Sequence, residues 1–408
     1  MTGPAPAPAA ERRAFGLFLL ARVFTSLSFQ MAGVAIGWLV YARTGSAYNL
    51  GLVGLAQFLP MVALTFVVGP LADRIDRRRI VAGCEIVNVA TLAFLAVGAA
   101  GDWLTAPVIF AAVALLGAAR AFEHPSMSAL LPGIVGERDL PRALAYSSSA
   151  MQTATIVGPA LGGLLYAFGA RAPLGLAAAM SAATFFAILA VPLERRELPK
   201  SPVTLASVFS GLSFIWNRPV ILGAISLDLF AVLLGGVTAL LPIYAHDILQ
   251  TGSLGLGLLR SAPAVGALAM SIVVNRLVRA NVGRTLFAAV VLFGAAILVF
   301  ALSRSMTLSL LALAVTGAAD NISVVIRQSL VQLGTPDEMR GRVSAVNSLF
   351  IGTSNQLGEF ESGMLSSLFG PVPAGVIGGV GTIAVALLWM RLFPDLRRQD
   401  RLAAKETG

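Results

Sequence analysis

The chain reads as an all-α membrane protein, with twelve transmembrane helices in two pseudo-symmetric six-helix bundles. Three observations predict this. Apolar runs close to the roughly 20 residues that a helix needs to cross a bilayer recur along almost the whole length. The 408 residues are 57% hydrophobic and 12% charged, against about 25% charged in a soluble domain, so the chain cannot dress a water-exposed surface. The second half also repeats the first. Shifted by 200 residues, Glu137 falls on Asp337, Arg142 on Arg342, Ala145 on Ala345, Ser148 on Ser348, Gly158 on Gly358 and Gly163 on Gly363.

The spans are expected near 14–42, 49–68, 80–101, 106–131, 143–169, 172–193, 219–245, 253–275, 284–303, 306–333, 343–369 and 372–393. Residues 1–13, Pro/Ala-rich and ending in Glu11-Arg12-Arg13, read as a disordered cytoplasmic tail. The run after them is too long for a cleaved signal peptide. Residues 14–193 form the N-terminal bundle, 194–218 a cytoplasmic linker, 219–393 the C-terminal bundle and 394–408 a second cytoplasmic tail. Within the linker, Leu205, Val208, Phe209, Leu212 and Phe214–Trp216 recur at mostly helical spacing, as in an amphipathic helix on a membrane surface.

Charge placement sets the orientation. Of 29 Lys and Arg residues, Arg43, Arg171 and Arg304 fall in outer loops and Arg22, Arg120, Arg260 and Arg327 inside spans. The rest lie on one side, which the positive-inside rule makes cytoplasmic, with both termini there. The net charge of +9 therefore faces anionic lipid headgroups, and nucleic acid is not expected as a partner. A lone cysteine, Cys84, excludes an internal disulfide. Two separated histidines, His124 and His246, are too few for a metal or triad centre, and no Gly-x-x-x-x-Gly-Lys-Ser/Thr loop is present. No enzyme signature, cofactor or metal is expected.

Between spans two and three lies Gly69-Pro70-Leu71-Ala72-Asp73-Arg74-Ile75-Asp76-Arg77-Arg78-Arg79, read as a tight basic turn. Gly-x-Leu-x-Asp-Arg followed by a basic cluster resembles the signature loop of the major facilitator superfamily, apart from Asp76, where that pattern has Gly. Gly69, Asp73, Arg74, Arg77 and Arg78 are then gating candidates; a plain positive-inside anchor fits them too. The resemblance implies that Asp73 meets the inner end of the eleventh helix, here Thr335–Arg342, so Arg340 and Arg342 are its candidate latch partners. In span five, Gly158-Pro159-Ala160-Leu161-Gly162-Gly163 resembles the antiporter motif of proton-coupled drug exporters. Gly158, Pro159, Gly162 and Gly163 equally fit close helix packing.

Charged side chains inside spans are costly and mark functional sites by default. Arg22, Gln30, Arg120, Glu123, Asp228, Asp320, Arg327, Glu359 and Glu361 are the candidates for proton coupling or a substrate cavity. Glu85 and Arg260 are further charges within spans. Arg120 and Glu123 share a helix face, as do Asp320 and Arg327, and each pair also fits a structural ion pair. A buried carboxylate balanced between desolvation and an arginine can load and release a proton near neutral pH. Asp228, Asp320, Glu123 and Glu359 are the preferred carriers, unranked. Phe24, Phe29, Met31, Trp38, Met151 and Met180 fit either a permissive apolar cavity or packing.

Val325–Gln328, Thr335–Asn347, and Leu55–Met61 with Ala72-Asp73-Arg74 are similar to the branch that contains the enterobactin exporter and related drug-efflux proteins. That likeness implies a secondary transporter of the bacterial inner membrane, a monomer in lipid. It would export a small amphipathic, siderophore-like or drug-like molecule by alternating access, in exchange for protons. A lysophospholipid or nutrient transporter without proton coupling, and a non-transporting homologue, stay open. If the latch exists, Asp73→Asn lowers transport and shifts the inward/outward balance; an accessibility assay that finds both unchanged removes the latch.

Overall fold

The computed structural model describes residues 9–136, 139–192, 205–278 and 280–401, and within them the side chains of 9–10, 65–74, 205–209, 275, 337 and 345 lie outside the description. The regular elements described are all helical: α1 (Ala9–Thr44), α2 (Ala47–Arg74), α3 (Arg77–Ala100), α4 (Ala106–Ile134), α5 (Leu140–Tyr166), α6 (Arg171–Leu189), α7 (Leu205–Trp216) and α8 (Pro219–Leu234). After a 3-10 turn (Val237–Leu240) come α9 (Leu241–Ile243), a π-helical turn (Tyr244–Ile248), α10 (Gly252–Leu277), α11 (Val282–Leu302), α12 (Met306–Leu333), α13 (Asp337–Phe369), α14 (Pro371–Leu392) and α15 (Pro394–Arg397).

Among the described residues, ten segments are long and apolar enough to cross a membrane, with Pro219–Ile248 counted as one. The two remaining long helices, α5 with 27 residues and α13 with 33, have the length but not the apolarity. α5 carries Ser147–Ser149, Gln152, Thr153 and Thr155; α13 carries Asn347, Asn355, Gln356, Glu359 and Glu361. They complete the twelve-span architecture and are repeat equivalents of each other. Side chains turned outward elsewhere are large and apolar, as at Val97, Phe186 and Ile272. Such a surface suits lipid rather than water.

The chain divides into two compact units, Met1–Ile36 with Ala56–Pro202, and Gly37–Leu55 with Val203–Gly408. In the first, α3 packs between α4 and α6. Its core joins Phe18 and Ala21 of α1, Val81 of α3, Met127 and Leu130 of α4 and Ile188 of α6. In the second, α12 packs on α10 and α11, and α8 on α13 and α14. Leu227, Phe287, Val290, Ile326 and Leu330 are central to that core.

The repeat is visible in the close approaches. Gly117 of α4 lies against the backbone of Gln57 in α2, and Gly317, 200 residues on in α12, lies against the backbone of Pro263 in α10. Gly158 of α5 meets Gln30 of α1, while Gly358 of α13 meets the carbonyls of Val232 and Leu233 in α8. Apolar matching gives no drive between helices in lipid, so contact rests on small residues that admit a neighbouring backbone.

Four expectations change. α1 starts at Ala9 rather than after residue 13, because Glu11 accepts a hydrogen bond from the Gly136 N–H at 3.0 Å; residues 1–8 lie outside the described residues. The Gly69–Arg79 turn shrinks to Ile75-Asp76, since α2 runs to Arg74. The seventh span is not continuous: Gly235-Gly236 ends α8, glycine being a poor helix former. The linker helix α7 packs on α13, with Gly211 against the Arg342 carbonyl and Ile215 buried with Val343 and Val346. Leu205, Val208 and Phe209, counted above in its apolar face, have side chains outside the described residues, and residues 193–204 lie wholly outside them.

A methyl group added at Gly317 runs into the Pro263 carbonyl. Gly317→Ala is expected to destabilise the protein by about 1–3 kcal/mol, the usual cost of overpacking. Gly341→Ala, where nothing lies within 4 Å, should be neutral or stabilising; thermal unfolding in detergent compares the two.

Candidate functional site

In the first unit, four helices each contribute polar residues at a spacing of three, which places them on one helix face. α1 supplies Arg22, Thr25 and Ser28, α3 Glu85 and Asn88, α4 Arg120 and Glu123, and α6 Ser181 and Thr184. All of these but Arg22 join one connected, largely buried network. Arg120 Nη1 stands 3.7 Å from Glu123 Oε1, and the Arg120 guanidinium lies over the Phe29 ring, 3.9 Å from its centroid. Asn88 Nδ2 donates to Glu123 Oε2 at 3.2 Å and reaches Glu85 Oε2 at 3.4 Å. Thr25 Oγ1 donates to Glu85 Oε1 at 2.8 Å, and Ser181 also bonds that carboxyl. Ser28 donates to the Ala177 carbonyl at 2.9 Å and shares a proton contact with Ser181 at 3.1 Å.

This network borders a cavity lined by Thr25, Ser28, Phe29, Asn88, Arg120, Glu123 and Ser181, among others. It gives a water centre about 30 Å³ of room, against the roughly 10–15 Å³ that one water requires. The cavity is sized for water and small ions. Glu85 is fully buried and sits one layer behind that lining. Arg22 lies within electrostatic reach of Arg120 and Glu123 and donates to Ser128 Oγ at 3.5 Å.

In the second unit, Arg327, 2% exposed, forms an ion pair with Asp228, 6% exposed. The arginine therefore joins α12 to α8, where the sequence suggested a pair with Asp320; Asp320 lies within reach of both. Glu359 faces Arg260 of α10 and the backbone of α2, with Oε2 3.1 Å from where a Cβ on Gly54 would stand. Glu361, two residues on and so about 200° around the helix, turns elsewhere, and Ser362 Oγ donates to it at 3.4 Å.

Several candidates have structural work. Gln30 is not among the cavity residues, and its Cβ is 2.6 Å from a Cβ built on Gly158. A Cβ built on Gly162 would stand 3.0 Å from Met31 Cα, and Pro159 and Gly163 are buried beside it. Arg77 Nη1 donates to the Ala129 carbonyl at 2.9 Å, Arg78 Nη1 to the Val191 carbonyl at 3.0 Å. Arg340 donates to the Gln332 carbonyl at 3.3 Å and Arg342 to Ser210 Oγ at 3.3 Å. The side chains of Asp73 and Arg74, like any built on Gly69, lie outside the described residues.

Asp76, the departure from the superfamily pattern, is the N-cap of α3. It accepts from the Arg78 N–H at 2.9 Å and pairs with the Arg78 guanidinium at 2.9 Å. The Arg78 hydrogen bond holds this carboxyl below the usual aspartate range. Its stabilising effect is thus complete above the ordinary aspartate pKa and lost as pH falls through the lowered value.

Glu85 and Asn88 are the residues that sequence reasoning undervalued. Their signal was an acid and an amide one turn apart inside an otherwise apolar span. Among the described residues, no three His, Cys, Asp or Glu side chains converge as metal ligands would.

The family model for the Major Facilitator Superfamily matches residues 18–359. The chain is 28% identical over 400 residues to enterobactin exporter EntS of Citrobacter koseri, covering 94% of this chain and 93% of that one. It is 29% identical over 398 residues to multidrug efflux pump Tap of Mycobacterium tuberculosis, with 94% of each covered. Among solved structures, it resembles a point mutant of the nucleoside transporter NupG, with TM-score 0.73 and 15% identity over 92% of this chain and 100% of that one. A bacterial homologue of the iron transporter ferroportin aligns with TM-score 0.69 and 17% identity, covering 95% and 99%. At these identities the solved structures speak for the fold alone.

The Asp228–Arg327 pair tests the energetics of the site. Arg327→Leu leaves a buried carboxylate unpartnered and is expected to cost about 3–5 kcal/mol, whereas the double change with Asp228→Leu recovers most of that. A double-mutant cycle from thermal unfolding measures the coupling; a double variant whose loss equals the sum of the two single losses would show that the pair contributes nothing.

Proposed function

The chain belongs to the Major Facilitator Superfamily, and on that premise we propose that it exports a small amphipathic molecule, siderophore-like or drug-like, in exchange for protons. It is a multi-pass membrane transporter with a small-molecule substrate. What supports the direction of transport is the likeness, over 94% of the chain, to an enterobactin exporter and a multidrug efflux pump. What supports proton exchange is the observation that carries the reading: a buried network holding two carboxylates beside a water-sized cavity. Ionisable groups in a membrane interior are expensive to keep and mark ion pathways.

In the proposed cycle the protein works as a monomer in the bacterial inner membrane, with both termini cytoplasmic. The halves 14–193 and 219–393, joined by 194–218, alternate in access. Asp73, Arg340 and Arg342 remain gating candidates, and Gly158–Gly163 is the close-packed seam of α5 on α1. Glu123, Asp228, Asp320 and Glu359 remain candidate titrating groups, of which Glu123 borders the described cavity.

The test uses the purified protein in liposomes with an imposed pH gradient and two probes, enterobactin and tetraphenylphosphonium. At least one probe should move uphill, and a proton ionophore should abolish that movement. Movement that only runs downhill, whatever the gradient, overturns proton exchange. Absence of binding and movement for both probes overturns the substrate class.

A further inference from the structure

Four acids within the spans stand near a cation, and the fully buried Glu85 differs from them. Glu123 has Arg120 at 3.7 Å, Asp228 pairs with Arg327, Glu359 faces Arg260, and Asp320 shares the neighbourhood of Arg327. Glu85 is 0% exposed, and the donors that reach it, Thr25, Asn88 and Ser181, are all neutral. The charged group that acts on it is Glu123 of α4; Arg120 and Arg22 lie near Glu123 rather than Glu85, and α6 offers the hydroxyls of Ser181 and Thr184. An ion so placed, without a cation to compensate it, is very costly. A proton is the one charge the surroundings leave room for.

Geometry supplies a route. Thr25 and Asn88 line the cavity and also bond Glu85. A hydroxyl can give one proton and accept another, which an amide nitrogen does poorly. Building on the proton-exchange reading above, we propose that Glu85 is the side chain that holds the exchanged proton, loaded from the cavity through the Thr25 hydroxyl. In loading, Thr25 Oγ1 passes its proton to Glu85 Oε1 and takes one from a hydrated proton in the cavity, which is left as water. Unloading reverses both transfers. Thr25 ends each event as a neutral hydroxyl, and Glu85 alternates between carboxylate and carboxylic acid. Asn88, bonded to both acids, positions Glu85 relative to Glu123, so the charge on one is felt by the other.

The deciding experiment needs no substrate. Infrared difference spectra of the ligand-free protein in detergent, recorded as pH is stepped across neutrality, report the carbonyl band of protonated carboxyls. The wild type should show a titrating band that Glu85→Gln removes and Asp320→Asn and Glu123→Gln retain. A band that survives Glu85→Gln, or no titrating band in the wild type, overturns the assignment. The liposome assay judges proton exchange separately, so a fully coupled Glu85→Gln variant would sink Glu85 and leave export standing. Should Glu85→Gln fail to fold, the threonine decides. Thr25→Val should slow the spectral response to a pH jump by about 10²-fold, the usual worth of a positioned proton-transfer group, while Thr25→Ser keeps the wild-type rate. Equal rates in both would overturn the route.

Discussion

The cost of holding an ion away from water governs what this molecule can place in its interior. Hydrocarbon offers a charge no solvation, so every buried acid or base must find a counter-ion, a set of donors or a proton. The first unit answers with a network in which Arg120 is shared between Glu123 and the face of Phe29. The second answers with a direct pair, Asp228 with Arg327. The helices around these groups are arranged so that the pairs meet. α4 must lie against α3 for Asn88 to bond Glu123, and α12 must approach α8 for Arg327 to reach Asp228.

Close helix contact is thus a requirement as well as a consequence. Burial of apolar surface does little to hold one helix on another within lipid, since the tails are as apolar as the side chains. Backbone approach at small residues takes over that role, and the repeat keeps it. Gly117 and Gly317 seat α4 and α12, and Gly158 and Gly358 seat α5 and α13. Charge is not kept in the same way: Arg120 in the first half corresponds to Asp320 in the second, and Glu123 to Ser323. The two halves share a packing scheme and differ in the chemistry it carries.

That division also explains what could be read in advance. Hydropathy and chain length are local properties, so the spans were legible to within a few residues, and Gly158–Gly163 stood out by composition. The turn between α2 and α3 was legible as basic, yet Asp76 looked like a mere departure from a motif. Its value lies in capping α3 and holding Arg78, which only the backbone geometry reveals. The break at Gly235-Gly236 is local in origin, but the apolar run hides it. Glu85 was visible as a charge in a span. Its lack of a cation was not, because that depends on α1, α4 and α6 arriving at one point.

The contrast between Glu85 and Glu123 gives the first unit its chemical logic. One acid borders the cavity and has an arginine close by; the other lies deeper and has neutral donors only. Asn88 ties them at 3.2 and 3.4 Å, so their charge states are not independent. On the proposed reading, a cation-free acid behind a cation-balanced one makes a site whose charge is set by protons rather than by fixed neighbours. Arg120 completes the coupling. Its hold on Glu123 is loose, and its second contact is an aromatic face that an incoming apolar or cationic group can contest. Displacing Arg120 would change the balance at Glu123, and through Asn88 at Glu85, so ligand and proton would be linked by direct contacts within one bundle.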